Sequence, residues 1–263
     1  DVDKHGNRKG SEEVLNDDEN VDDLESVLSE IWYPDSYKSM IDSGRIDIEK
    51  LNPSYMFHLD SDSKKLYFNM PKINKSWDFK GSALISDGQY KLTDIPIAVS
   101  VRREDFVVVR YTGENGKPED FNFVTITQDL DELVQAEVDR RKVIYEKLYE
   151  LGPYFKSSSY GSLEFKADNS FVWNGNRLLV PSILPSVKNK GNVRIKYFLS
   201  RTLSASYDGI ITFVFDGIAK EVNFLYKIEE NGLRFEDASG AVIKNNILTE
   251  RSMSPLVIFF SKD

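Results

Sequence analysis

The feature that most limits what this chain can fold into is the period-two placement of bulky side chains in its second half. In "GSLEFKADNSFVWNG", Gly161 to Gly175, Leu163, Phe165 and Ala167 alternate with Ser162, Glu164 and Lys166, and Phe171 and Trp173 alternate with Ser170 and Asn174. Successive side chains of a strand point to opposite faces, so the stretch is a hairpin with one apolar face, turned where Asp168 and Asn169 can bond their own backbone. The pattern continues in "NVRIKYFLS", "GIITFVFDG" and "EVNFLYKIEENGLRF": Val193, Ile195, Tyr197 and Leu199 share one face, as do Val222, Phe224, Tyr226 and Ile228. With a weaker segment around "AVIKNN" and the apolar "PLVIFF", this gives seven or eight antiparallel strands. One apolar face across that many strands requires a small barrel or a strongly curled sheet. An interior of that size is either just filled by side chains or able to hold one small molecule. If there is a cavity, Trp173, Tyr197, Phe213 and Tyr226 line it; if there is none, the same rings are core.

Upstream lies the strongest single element, "DLDELVQAEVDRRKVIYEKLYELGP". Asp129 and Glu132 have capping-box spacing, Val134, Val138, Tyr145 and Leu148 lie along one side, and Gly152-Pro153 is a stop signal. The helix separates two strand-rich halves, which gives a mostly β, α+β chain of two antiparallel domains, residues 19–153 and 154–263, behind a disordered acidic tail at 1–18. Within the first domain, an amphipathic helix follows Asn20 with Val21, Leu24, Val27, Leu28 and Ile31 at helical spacing, and a second, after Pro34, carries Tyr37, Met40 and Ile41 and stops at Gly44. About seven strands come next, among them "SYMFHLDSDSKKLYFN" as a hairpin and "ALISDGQYKL" around an Asp87-Gly88 type I′ turn.

Charge and composition bound the rest. The net charge of -9 sits almost wholly in residues 1–30, with 11 acidic against 3 basic residues, so the remainder is nearly neutral. A generic nucleic-acid binder carries a basic stripe, and none is visible here. No apolar run reaches the length of a spanning helix. Zero cysteines excludes disulfides, cysteine nucleophiles and thiolate metal sites. The acidic start at Asp1, without Met, suits a chain from which an export signal has been removed, so an exported, periplasmic or surface location is expected.

Taken together, the helix with "IWYPDSYKSMI", the "GSLEFKADNSFVW" hairpin, "YDGIITFVFDG", "FLYKIEENGLRFED" and the apolar last strand resemble the exported lipoproteins of spirochaetes that carry lipocalin-like or related small β-barrel domains. The resemblance implies a lipid-tethered envelope protein with binding or adhesive duties, any acylated cysteine lying before Asp1. It departs from ordinary lipocalins at Ile31-Trp32-Tyr33, where their Gly-x-Trp has its glycine. A His-Glu-x-x-His protease motif credited to a treponemal member is missing, since His5 and His58 are far apart in sequence.

Other chemistry is sparse. His58 lies on the strand face opposite Tyr55, Phe57 and Leu59 and reads as a solvent-facing residue. "DSDSK" begins like a calcium loop, but Lys65 and Pro71 stand where a glycine and a glutamate are required. Ser61-x-x-Lys64 has the spacing of a penicillin-recognising serine but falls in a turn without a Lys-Thr-Gly partner. "WNGNR" lacks phosphate-loop spacing, and Arg140, Arg141 and Lys142 read as a solvated helix face. No catalytic residue, metal site or cofactor is therefore assigned. The leading expectation is a non-enzymatic envelope protein binding an envelope or host protein, or a small apolar ligand, with any membrane contact through a lipid anchor. A structural component of the envelope and a carboxylate-dependent hydrolase are the alternatives.

Overall fold

The computed structural model describes residues 13–14, 19–175, 188–199, 206–219 and 221–262. Among these the chain is mostly β, with three helices, and divides into two compact units: one holds residues up to Ile41 and Glu49–Asp131, the other Asp42–Ile48 and Glu132 onward. Of the expected acidic tail, Glu13–Val14 forms a short strand (β1) and residues 1–12 and 15–18 lie outside the described residues.

The first unit contains α1 (Glu19–Ser29), β2 (Tyr33–Pro34), α2 (Ser36–Ser43, ending past the unit's Ile41), β3 (Met56–Asp60), β4 (Lys65–Met70), β5 (Ile73–Asp78), β6 (Ala83–Ser86), β7 (Gln89–Leu92), β8 (Ile97–Arg103), β9 (Phe106–Thr112) and β10 (Pro118–Val124). A seven-stranded sheet runs β1-β6-β7-β8-β9-β10-β2, and a three-stranded sheet runs β3-β4-β5. Trp32 and Phe57 exchange backbone hydrogen bonds at 2.9 and 2.8 Å, which stitches the two sheets together beside β2. The expected type I′ turn is present: Asp87 and Gly88 both take positive φ, 52° and 73°, whose twist matches the flanking strands. Gly44 ends α2 at φ 70°, as expected of a left-handed cap. Between the sheets, Phe57, Phe68 and Phe123 are fully buried, their centroids 5.8–6.2 Å apart, and α1 adds Leu24 and Leu28.

In the second unit α3 (Leu130–Leu151) leads into β11 (Tyr154–Ser157), β12 (Gly161–Phe165), β13 (Ser170–Asn174), β14 (Lys188–Phe198), β15 (Gly209–Phe215), β16 (Glu221–Glu229), β17 (Gly232–Asp237), β18 (Val242–Lys244), β19 (Ile247–Glu250) and β20 (Val257–Lys262). Eight of them close a barrel in the order β11-β12-β13-β14-β15-β16-β17-β20, while β18-β19 is a separate hairpin. The barrel needs its glycines: a Cβ on Gly191 or Gly209 would sit 1.9 Å from a carbonyl oxygen of the neighbouring strand, so only glycine permits the close approach that tight curling demands. The seam between β11 and β20 is short, with Phe155 opposite Lys262 and Lys156 opposite Ser261.

The long helix does not close the first domain, as its sequence position had suggested, but packs with the barrel from Glu132 on. Tyr145 and Leu148 are buried in the barrel core, and the Tyr145 hydroxyl donates at the β12–β13 turn to the Lys166 carbonyl at 2.5 Å, with the Ser170 carbonyl at 3.1 Å. Its buried side also departs from the expected stripe: Val138 is exposed, and Glu137, one residue earlier, is buried. Arg140 and Arg141 both bind that carboxylate, Arg141 through its Nε at 2.9 Å. Arg141 is only 11% exposed and also donates to the Ile46 and Lys196 carbonyls, and Arg140 lies 3.9 Å over the Phe198 ring. Of the basic run read as a solvated face, Arg140 and Lys142 are exposed and Arg141 is not, and the two arginines satisfy a buried charge that would be costly alone.

Candidate functional site

The barrel interior was the first candidate, and its geometry settles what the predicted lining residues touch. Trp173, Phe213 and Tyr226 do come together in one core with Phe155, Phe165, Phe171, Phe224, Phe235 and Phe260, all at most 2% exposed. Phe213 sits at the centre, with ring centroids of Phe171, Trp173, Phe235 and Phe224 at 4.8, 5.5, 5.8 and 5.9 Å. Those are contact distances, mostly edge to face, so these rings pack directly on one another. Trp173 Nε1–H donates to the Tyr160 carbonyl at 2.9 Å, and Tyr160, Ile218 and Leu256 pack on the core at that end, opposite α3.

Tyr197 is not in this set. A bulge between Ile195 and Tyr197 breaks the register of β14 against β15, which restarts with Tyr197 opposite Ile210. One extra residue reverses the facing of everything beyond it, so Tyr197 lies outside the barrel with Leu199, Tyr207, Ile210 and Leu225, and Phe198 takes the inward place. The β18–β19 hairpin covers this outer apolar patch through Ile243 and Leu248. Beside it Glu236 is fully buried, accepting from both Arg251 nitrogens (2.6 and 3.1 Å) and from the Tyr207 hydroxyl at 2.9 Å. Burial, and then the bond to Glu236, raise the Tyr207 phenol above its usual range. Every oxygen of this carboxylate is engaged in holding the hairpin base to the barrel wall, which is a structural use. Sequence reading missed it, because Glu236 sits among polar neighbours in a stretch that looks solvent-facing.

Tyr226 carries a polar atom the core does not satisfy. Its hydroxyl is buried with no hydrogen-bond partner among the described residues, and burial, then the negative charge of Asp208, push its phenol far above the ordinary value.

The other sequence candidates remain apart. Ser61 lies in the exposed β3–β4 turn, where Lys64 takes φ 57° and bonds Glu25 at 3.0 Å. His58 Nδ1 lies 3.2 Å from the Glu30 carbonyl. Among the described residues no group of three or more His, Cys, Asp or Glu is placed to hold a metal ion, and no helix is long and apolar enough to cross a membrane.

The candidate site that sequence reading did not anticipate is an open groove of about 840 Å³ in the first unit. Its walls are Glu30 and Ile31 after α1, Tyr33 on β2, Arg103 at the end of β8 with Glu104 and Asp105 of the β8–β9 turn, and Thr125, Ile126 and Thr127 beyond β10. Two pairings build it. β2 bonds β10 only at Tyr33–Val124 and Pro34–Phe123, so the chains part immediately beyond, and Thr125 N–H is drawn instead to the Asp105 carbonyl at 3.2 Å. Ile31 is left 41% exposed. Burial, followed by the charges of Asp131 and Asp129, raises the Tyr33 phenol, so it is a neutral donor at physiological pH. The groove thus offers hydroxyls, carboxylates and a small apolar floor. No periodicity could have revealed it, because its parts come from three turns distant in sequence.

With this geometry in place, comparison with known proteins finds two likenesses. Residues 13–126, most of the first unit, match the family model described as TP0260 family, third domain. The chain is also similar to an uncharacterized protein of Treponema pallidum (strain Nichols), 27% identical over 242 residues, 92% of this chain and 54% of that protein. This chain therefore spans about half the length of that spirochaete relative. No solved structure matches it.

Proposed function

We propose that this is a non-enzymatic envelope protein whose recognition of another protein takes place on its surface, with the barrel serving a structural part. The observation that carries this reading is the packed barrel: nine large rings occupy the interior in which a small apolar ligand would have to lie. The groove of the first unit supports it, being concave, open and lined by mixed polar and apolar groups. Export and attachment through a lipid anchor belong to the same proposal, and the resemblance of the strand and helix pattern to spirochaete exported lipoproteins is what favours them.

Two measurements test it. Native mass spectrometry after incubation with palmitate is expected to show unliganded protein; a stoichiometric palmitate adduct that Trp173→Ala abolishes would return the function to the barrel. A photo-crosslinking side chain at Thr127, in cells, is expected to trap a discrete protein that the same group at exposed Lys244 does not trap. Equal capture at both positions would remove the groove from the proposal.

A further inference from the structure

The chemistry of the groove narrows what it takes; the argument rests on the reading of the groove as a recognition site. Its rim is dominated by carboxylates. Glu30 and Glu104 are exposed lining residues, and the charges of Asp129 and Asp131 act on the Tyr33 phenol in the wall. Arg103 is the cation in the lining, and it is engaged: its Nε lies 3.4 Å from Asp105, and its guanidinium lies 5.3 Å from the Phe106 ring centroid. An anionic ligand would meet Glu30 and Glu104 with little positive charge to offset them. A purely apolar one would leave the carboxylates and the threonine hydroxyls without partners in a dehydrated contact.

The remaining walls favour a polypeptide. Thr125, Ile126 and Thr127 line the groove just beyond β10, where β2 no longer pairs with it, and offer hydroxyl and aliphatic groups together. Ile31 faces the groove from the other side. Lysine and arginine lay their methylene stems on apolar surface while their charged ends reach for carboxylates. We propose that the groove binds an extended, lysine- or arginine-bearing segment of a partner protein, its aliphatic stems on Ile31 and Ile126 and its cationic ends at Glu30 and Glu104. Complementary charge of this kind sets specificity and association rate more than raw affinity.

The test uses the whole chain and a fluorescein-labelled peptide of alternating lysine and threonine, read by anisotropy. Glu30→Gln with Glu104→Gln is expected to weaken binding by about tenfold or more, equivalent to about 1.4 kcal/mol. The control pair Asp62→Asn with Glu114→Gln makes the same change in net charge on turns outside the groove lining, and is expected to change binding by less than about twofold. Circular dichroism confirms that each variant folds. A crosslinker at Thr127 should label the lysine peptide and not its glutamate counterpart. If both peptides bind equally and label at Thr127, the groove is a recognition site and the cationic preference is wrong. If the control pair loses as much affinity as the groove pair, or if the lysine peptide fails to bind or labels elsewhere, the proposal is overturned, and in the last case the recognition reading fails with it. Displacement of the peptide by equimolar spermine would show that the site takes a small polycation instead of a polypeptide segment.

Discussion

The two units are built from the same material, short antiparallel strands with aromatic inward faces, yet one closes on itself and the other does not. In the barrel the first and last strands meet, both ends are covered, and the interior is consumed by its own side chains. In the first unit two sheets are held together at Trp32 and Phe57, and half-buried rings such as Trp77, Tyr111 and Phe121 remain at the margins of the core, with a groove where β2 stops. The difference teaches that the aromatic content of a strand says little about ligand binding. What matters is whether the sheet closes around those rings or leaves a gap beside them.

Mutation can break or sharpen this contrast. Trp173→Ala removes a ring packed on all sides and is expected to destabilise the barrel unit by roughly 3–5 kcal/mol, against clearly less for Trp77→Ala at the open margin of the first unit. Urea denaturation measures both, and equal losses would mean that the first unit is as tightly packed as the second. Glu236→Ala strips the partner from a guanidinium and a phenol at the outer wall; since Arg251 is 42% exposed and can turn to water, a loss of about 1–3 kcal/mol is expected, from the buried Tyr207 hydroxyl left without its acceptor and from lost hydrogen bonds. Its signature is release of the β18–β19 hairpin, seen as faster amide exchange there than in β15.

Tyr226→Phe should move stability the other way. Deleting a buried hydroxyl that has no partner removes a desolvation cost of order 1 kcal/mol, so the variant is expected to match or exceed the parent. A marked loss would reveal a polar contact at the helix-covered end of the barrel, and with it room for something other than side chains. The smallest effect is expected on the open unit, at Arg110 and Asp120, which are bonded at 2.8 and 3.1 Å with nearly half of each side chain in solvent. The Arg110 hydrogen bond holds the Asp120 carboxyl below its usual range. A lowered folded-state value means the contribution is present above the unfolded carboxyl range and fades as pH falls through the folded one. The melting temperature of Asp120→Asn should therefore sit slightly below the parent at neutral pH and converge with it in acid.

Much of the architecture was legible because it rests on local rules. Leu163, Phe165, Phe171 and Trp173 obeyed period two, Asp87-Gly88 specified its own turn, and Gly44 and Gly152 ended helices where expected. Tyr197 was misplaced because a bulge is written in the pairing of two strands and not in the alternation of one. The α3 face was misjudged for a related reason: a buried stripe that includes Glu137 and Arg141 looks polar until both are seen to bind each other. Strand β5, "INKSWD", escaped notice since only its first residue and Trp77 face inward. The groove was invisible because no single segment contains it.

The two-pair seam has a consequence for how the barrel comes into being. Because β11 is joined to β20, strands from opposite ends of the unit, the ring cannot be completed until nearly all of it is available, and bringing such distant segments together makes folding slow. A folding chain must therefore carry an unclosed curl of aromatic strands until β20 arrives, and the interval in which it is most exposed to misassociation ends with the docking of Ser261 and Lys262.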